Sequence, residues 1–147
     1  MKKRGFTLIE LVAVLAISSI IIAIASLKFN IIENFKSNME LQTLINDCNY
    51  AKMKAISTGD DYKLVFNRDY YYISLSWKDD KNAIIKRDLE NIRFSSYNVK
   101  DGQIIFNRSG SVTNPGTVKI EVPDGTDESK LVELSVRVGI GYARFKK

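Results

Sequence analysis

The chain reads as an α+β protein, with one long amino-terminal α-helix, hydrophobic in its first half, packed on an antiparallel β-sheet head. Three observations predict this. Residues 6–27 form a run of 22 residues with a single charge, Glu10. No glycine or proline stands between Phe6 and Thr58. From Gly59 onward the pattern changes to short runs rich in Val, Ile, Tyr and Phe, set apart by Gly, Asn, Asp and Pro. A helix followed by a row of strands gives the segregated layout of an α+β domain. At 147 residues, 45% hydrophobic and 27% charged, the composition suits one such domain.

The amino terminus begins with Lys2, Lys3 and Arg4, continues through Gly5, and enters the apolar run. That run is about the ~20 residues needed to cross a bilayer, and basic residues ahead of it favour a cytoplasmic amino terminus with the head outside. A secretory signal would close such a run with small residues, which Ala23, Ala25 and Ser26 supply. Glu10 argues against that alternative. A carboxylate in hydrocarbon costs on the order of 2.5–3.5 kcal/mol, so it calls for a partner or for the headgroup interface. A cut between Gly5 and Phe6 would free an α-amine one helical turn before Glu10, close enough to pair with a carboxylate. The basic leader also holds three of the five net positive charges, so the rest of the chain carries 5 − 3 = +2. So small an excess does not by itself require a nucleic-acid partner.

Helical character continues past the apolar run. Ile32, Phe35, Met39, Ile45, Cys48 and Ala55 recur near three-and-four spacing, with Leu41 and Leu44 beside them. Glu33, Lys36, Asn38, Glu40 and Lys54 fall mostly elsewhere on the wheel. The expectation is one helix of roughly 52 residues and ~78 Å, ended by Gly59, with residues 6–27 membrane-lodged and residues 28–58 packed on the head. Cys48 lies on the expected apolar face and is read as a buried, inert thiol. With one cysteine and no histidine, the chain excludes a Ser-His-Asp triad, a Cys-His dyad, a CxxC pair, a zinc cluster and an internal disulfide. No enzymatic role, metal or cofactor is expected.

The head spans residues 59–147. Residues 62–67 and 70–77 alternate as strands around an Asn67-Arg68-Asp69 turn. Further strands are expected at 83–87, 92–95, 103–107, 117–122, 131–136 and 142–145. The breaks between them include turn clusters at Asn107-Arg108-Ser109-Gly110 and Asn114-Pro115-Gly116, and a hairpin loop at Asp124-Gly125-Thr126-Asp127. Alternation places Tyr71, Ile73, Leu75 and Trp77 on one face of the second strand and Tyr70 and Tyr72 on the other. The acid pairs Asp60-Asp61 and Asp79-Asp80, and the cluster Asp124, Asp127 and Glu128, lack the spacing of a calcium loop and are read as solvated turns.

The contiguous stretch Lys3-Arg4-Gly5-Phe6-Thr7-Leu8-Ile9-Glu10-Leu11 resembles the processing motif of type IV prepilins and type II secretion pseudopilins. The resemblance implies residues 1–5 as a leader removed by a prepilin peptidase, with cleavage after Gly5 and methylation of Phe6. It also gives Glu10 the role of meeting the α-amine of a neighbouring subunit during assembly. A looser likeness runs from about residue 40 to 145 through Ile104-Ile105-Phe106, Gly110, Pro115-Gly116-Thr117-Val118-Lys119-Ile120, Leu134-Ser135-Val136 and Gly139. It resembles the H-type minor pseudopilins and fimbrial T proteins, which implies a minor subunit.

The function so implied is structural. The chain would be held in the cytoplasmic membrane and then assembled with other pilin or pseudopilin subunits into a surface filament, by way of an assembly platform and its ATPase. The alternative is a membrane-anchored module whose head and basic carboxy terminus recognise DNA or a secreted protein. Arg137, Arg144, Lys146 and Lys147 fall within eleven residues without an acidic neighbour in sequence, a charge pattern suited to phosphates, lipid headgroups or an acidic subunit. A plain solvated end accounts for the same residues.

Overall fold

A computed structural model describes residues 7–123, 129–137 and 143–146, with residues 25–31 and 143–146 described by backbone alone. Helix α1 runs over Leu8–Thr58, 51 residues without a break. Its end is fixed by Gly59, whose φ of 73° is the left-handed conformation that glycine takes without Cβ strain, and whose N–H bonds to the Ala55 carbonyl at 3.1 Å.

The strands that follow are β1 (Tyr62–Phe66), β2 (Tyr70–Leu75), β3 (Ile85–Asp88), β4 (Arg93–Asn98), β5 (Gln103–Phe106), β6 (Gly116–Pro123), β7 (Ser129–Val136) and β8 (Ala143–Lys146). They form two antiparallel sheets of four strands, ordered β3-β2-β1-β5 and β4-β6-β7-β8. All eight expected strands are present. The expected hairpin loop at 124–127 lies outside the described residues, although Pro123 and Ser129 pair in register on either side of it.

One core joins the helix to both sheets. Leu64, Phe66, Tyr71, Ile73, Ile104 and Phe106 come from the first sheet, and Phe94, Val118, Ile120, Leu134 and Val136 from the second. The two sheets meet at Phe94, whose ring stands edge-on to Phe66 at 5.1 Å and to Tyr71 at 6.3 Å.

The helix reaches this core through a stripe other than the expected one. Ser37, Leu41, Leu44, Cys48, Ala51 and Ala55 are buried in strict four-three alternation. Of the expected face, Cys48 and Ala55 are buried and Ile45 is half-buried, whereas Ile32, Phe35 and Met39 are exposed. The reason is size: four of the six buried residues are Ser, Cys or Ala, which let the helix backbone approach the sheets closely. Bulk alone points to the opposite side. Trp77 is a second correction. It is 64% exposed because β2 ends at Leu75 and the chain turns before the alternation reaches it.

Two carboxylates tie the helix flank to the chain around β3. Asp47, buried, accepts the Tyr71 hydroxyl at 2.7 Å and Arg87 Nε at 2.6 Å. Glu40, one heptad earlier on the same flank, accepts the backbone N–H groups of Glu90, Asn91 and Ile92 at 3.1–3.3 Å and the Asn91 amide at 2.6 Å. The Ser37 hydroxyl adds a bond to the Asn91 carbonyl at 3.3 Å. Burial, followed by the bond to Asp47, raises the Tyr71 hydroxyl above its ordinary pKa, and the same carboxylate raises Arg87.

Asp47→Ala leaves the Tyr71 hydroxyl without its acceptor and unpairs Arg87. The expected loss is about 2 kcal/mol by chemical denaturation, below the range for a fully buried pair because Arg87 is half-exposed. At Gly116 a Cβ would stand 2.1 Å from the Asn98 carbonyl oxygen, where β4 and β6 approach closely. Gly116→Ala should therefore cost about 3 kcal/mol and lower the melting temperature measured by circular dichroism. Burial, with a smaller contribution from Asp47, pushes the Cys48 thiol up to about 12 from an ordinary 9.0. The thiol should thus resist iodoacetamide at pH 8.5 in the native chain and react once unfolded. The raised folded-state pKa also means that its contribution to stability is present below pH 9.0 and declines as pH rises towards 12.

Candidate functional site

The candidate site is the start of α1. Thr7 is its amino-terminal cap, extended at φ −83° and ψ 152°. Thr7 N–H donates to Glu10 Oε2 at 2.8 Å and the Thr7 hydroxyl donates to the same oxygen at 2.9 Å. In return Glu10 N–H bonds to Thr7, at 3.1 Å to the carbonyl and 3.4 Å to the hydroxyl oxygen. This reciprocal pair is a capping box, and it satisfies donors that a helix start leaves unmade. It also aims the Glu10 carboxylate back towards the chain entering the helix. Both of these bonds to the carboxylate fall on Oε2, and a carboxylate offers about four acceptor positions, so capacity remains for another donor. Gly5 and Phe6, the expected cleavage pair, lie outside the described residues.

Every described side chain from Thr7 to Ile24 is exposed, and these are almost all apolar. The two serines in this stretch turn inward on the helix: Ser18 bonds to the Val14 carbonyl at 2.7 Å and Ser19 to that of Ala16 at 2.8 Å. The segment therefore presents hydrocarbon with few open polar groups. Among the described residues no helical stretch is long and apolar enough to cross a membrane, and the expected span of residues 6–27 falls partly outside them.

Arg137 is exposed just after β7. Arg144 and Lys146 stand on β8, opposite Ser135 and Glu133 of β7. Lys147 lies outside the described residues.

One acid of each pair expected as a turn has a partner. Asp61 accepts the Arg108 backbone N–H at 3.2 Å, and Asp80 lies 3.9 Å from Lys86. Tyr70 and Tyr72 are half-exposed on the outer face of the first sheet, with Lys86 placed 4.6 Å from the centre of the Tyr70 ring. Sequence reasoning missed Glu40, Asp47, Tyr71 and Arg87 as a polar set. The available signal was an acid, Asp47, sitting between the buried Leu44 and Cys48.

Residues 1–26 match the family described as the prokaryotic N-terminal methylation motif. No curated protein matches the chain in sequence. Among solved structures, the minor pseudopilin EpsH from the type 2 secretion system of Vibrio cholerae is similar at 17% identity and a TM-score of 0.52, over 75% of this chain and 94% of that one. A second EpsH structure gives 16% identity and a TM-score of 0.53, over 77% and 97%. The type IV minor pilin FimU of Pseudomonas aeruginosa is similar at 15% identity and a TM-score of 0.49, over 72% and 89%. At these identities the EpsH likeness speaks to the fold. The chain thus carries the prokaryotic N-terminal methylation motif over residues 1–26 and has a fold similar to that of the minor pseudopilin EpsH.

Proposed function

We propose that the chain is a minor structural subunit of a type IV pilus or of a type II secretion-like pseudopilus. The observation that carries this reading is the placement of Glu10. It is the lone acid of the apolar run of residues 6–27 and is held by Thr7 at the helix start, a few residues after Gly5 and Phe6 of the methylation motif. Cleavage after Gly5 by a prepilin peptidase gives Phe6 a free α-amine, which is then methylated. Residues 6–27 keep the chain in the cytoplasmic membrane with its head outside, until an ATPase-driven platform moves it into a filament. There Glu10 receives the Phe6 amine of a neighbouring subunit, an ion pair that neutralises both charges in an apolar setting. Apolar helix sides supply the lateral contacts, and the head occupies the filament surface.

The capping box favours this reading because it orients the carboxylate without consuming it. The neighbouring amine can be accepted while Thr7 still caps the helix.

Mass spectrometry of the mature chain from a cell with the assembly machinery should show a methylated Phe6 as the first residue. Gly5→Val should abolish the accompanying size shift on an immunoblot. A chain that still begins at Met1, or is trimmed elsewhere, would contradict the proposal. Glu10→Gln should be processed normally yet fall at least about tenfold in sheared surface fibres, since it keeps the size of the side chain and loses the charge.

A further inference from the structure

Helix α1 carries a second stripe, as regular as the buried one. Ile32, Phe35 and Met39 lie at one end and Met53 and Ile56 at the other, all 46–64% exposed. Between them, at the same three-four spacing, stand Gln42, Asn46 and Asn49, also exposed. The stripe is offset by two residues from the buried one, which turns it by about 200°, away from the core, although Ile56 at its end reaches Gly110 of the head. A helix that packs on its own domain needs one apolar face, and a second face with the same heptad spacing suits another helix.

The composition of this stripe says which helix. It holds no charged residue from Ile32 to Ile56: Glu33, Lys36, Glu40, Asp47 and Lys54 lie on one flank of the helix and Lys52 on the other. It therefore offers nothing to a charged partner. The central amides each donate and accept hydrogen bonds, so they complement other amides, and a second copy presents the same block at the same height. A shift of one heptad would set Phe35 against Gln42, Met39 against Asn46, Asn46 against Met53 and Asn49 against Ile56. Each contact of that kind removes an amide from water without a partner, so the stagger is disfavoured. Polar residues at single seam positions fix register in paired helices in this way.

We propose that the head-averted stripe of α1 docks a second copy of this chain, parallel and in register, with Gln42, Asn46 and Asn49 lying against their own counterparts. The proposal rests on the membrane-held subunit reading, which makes neighbouring helices parallel, and extends it to an in-register pair formed before filament entry.

Cysteine cross-linking of the full chain in isolated membranes tests it, with buried Cys48 left in place. Oxidation with copper phenanthroline should link Met39→Cys to itself and Met53→Cys to itself, each at least about tenfold more than Glu33→Cys on the charged flank. A mixture of Ile32→Cys and Met39→Cys chains, which reports a one-heptad stagger, should give little mixed product. Adding Gln42→Leu, Asn46→Leu and Asn49→Leu should raise that staggered product about tenfold, because the seam stays apolar but loses its register. Membrane-held chains that fail to link at Met39→Cys and Met53→Cys, or that link equally in the staggered mixture, overturn the paired seam and leave the subunit reading standing. A chain recovered from the soluble fraction overturns that reading and the pair with it.

Discussion

The head packs on α1 chiefly through one stripe of six side chains. Leu41, Leu44, Cys48, Ala51 and Ala55 are the helix's buried share of the core, Ser37 extends their stripe, and four of these six are small. Small residues give up apolar area but bring the helix axis close to the sheets, and close approach lets one helix serve two sheets at once. Phe94 completes the arrangement by filling the corner where the sheets meet, with Phe66 and Tyr71 packed edge-on against it. Because the core needs only this stripe, the other sides of the helix are free to be apolar for other reasons. The exposed hydrocarbon of residues 8–24 and the averted stripe above it both follow from that freedom.

Polar chemistry supplements the apolar stripe on one flank. Asp47 and Glu40 are seven residues apart, and each takes several donors from the chain around β3. A buried ion pair is weak evidence of net stability, since desolvating the charges offsets much of their attraction. Directionality is the better explanation. Hydrophobic contact alone would let β3 and the turn after it slide along the helix, whereas Asp47 and Glu40 accept only in set positions. Three successive backbone N–H groups converging on Glu40 leave that turn little choice of height.

Much of this architecture was legible in the sequence because it rests on local rules. Gly59 ended the helix where the left-handed conformation demanded it, and alternation located all eight strands to within a few residues. The motif around Gly5, Phe6 and Glu10 was legible because its residues are contiguous. The choice between two helix stripes was not, since both repeat with the same spacing and only the sheets decide which is covered. Large residues such as Phe35 and Met39 draw attention to the wrong side, while Ala51 and Ala55 say little until something packs on them. Trp77 misled for a related reason: alternation holds only while a strand lasts, and its end is set by the turn beyond. The Asp47, Tyr71 and Arg87 group joins residues 24 and 40 positions apart, a distance no local pattern spans.

The helix runs 51 residues without glycine or proline, and at about 1.5 Å per residue it is a rod of about 77 Å. Such a rod has no built-in joint. A force applied near its amino end reaches the six-residue stripe undiminished by any soft link, and the head must travel with the stalk. If the chain is drawn into a filament as proposed, the load passes from shaft to head through the core stripe and through the carboxylate fastenings at Glu40 and Asp47.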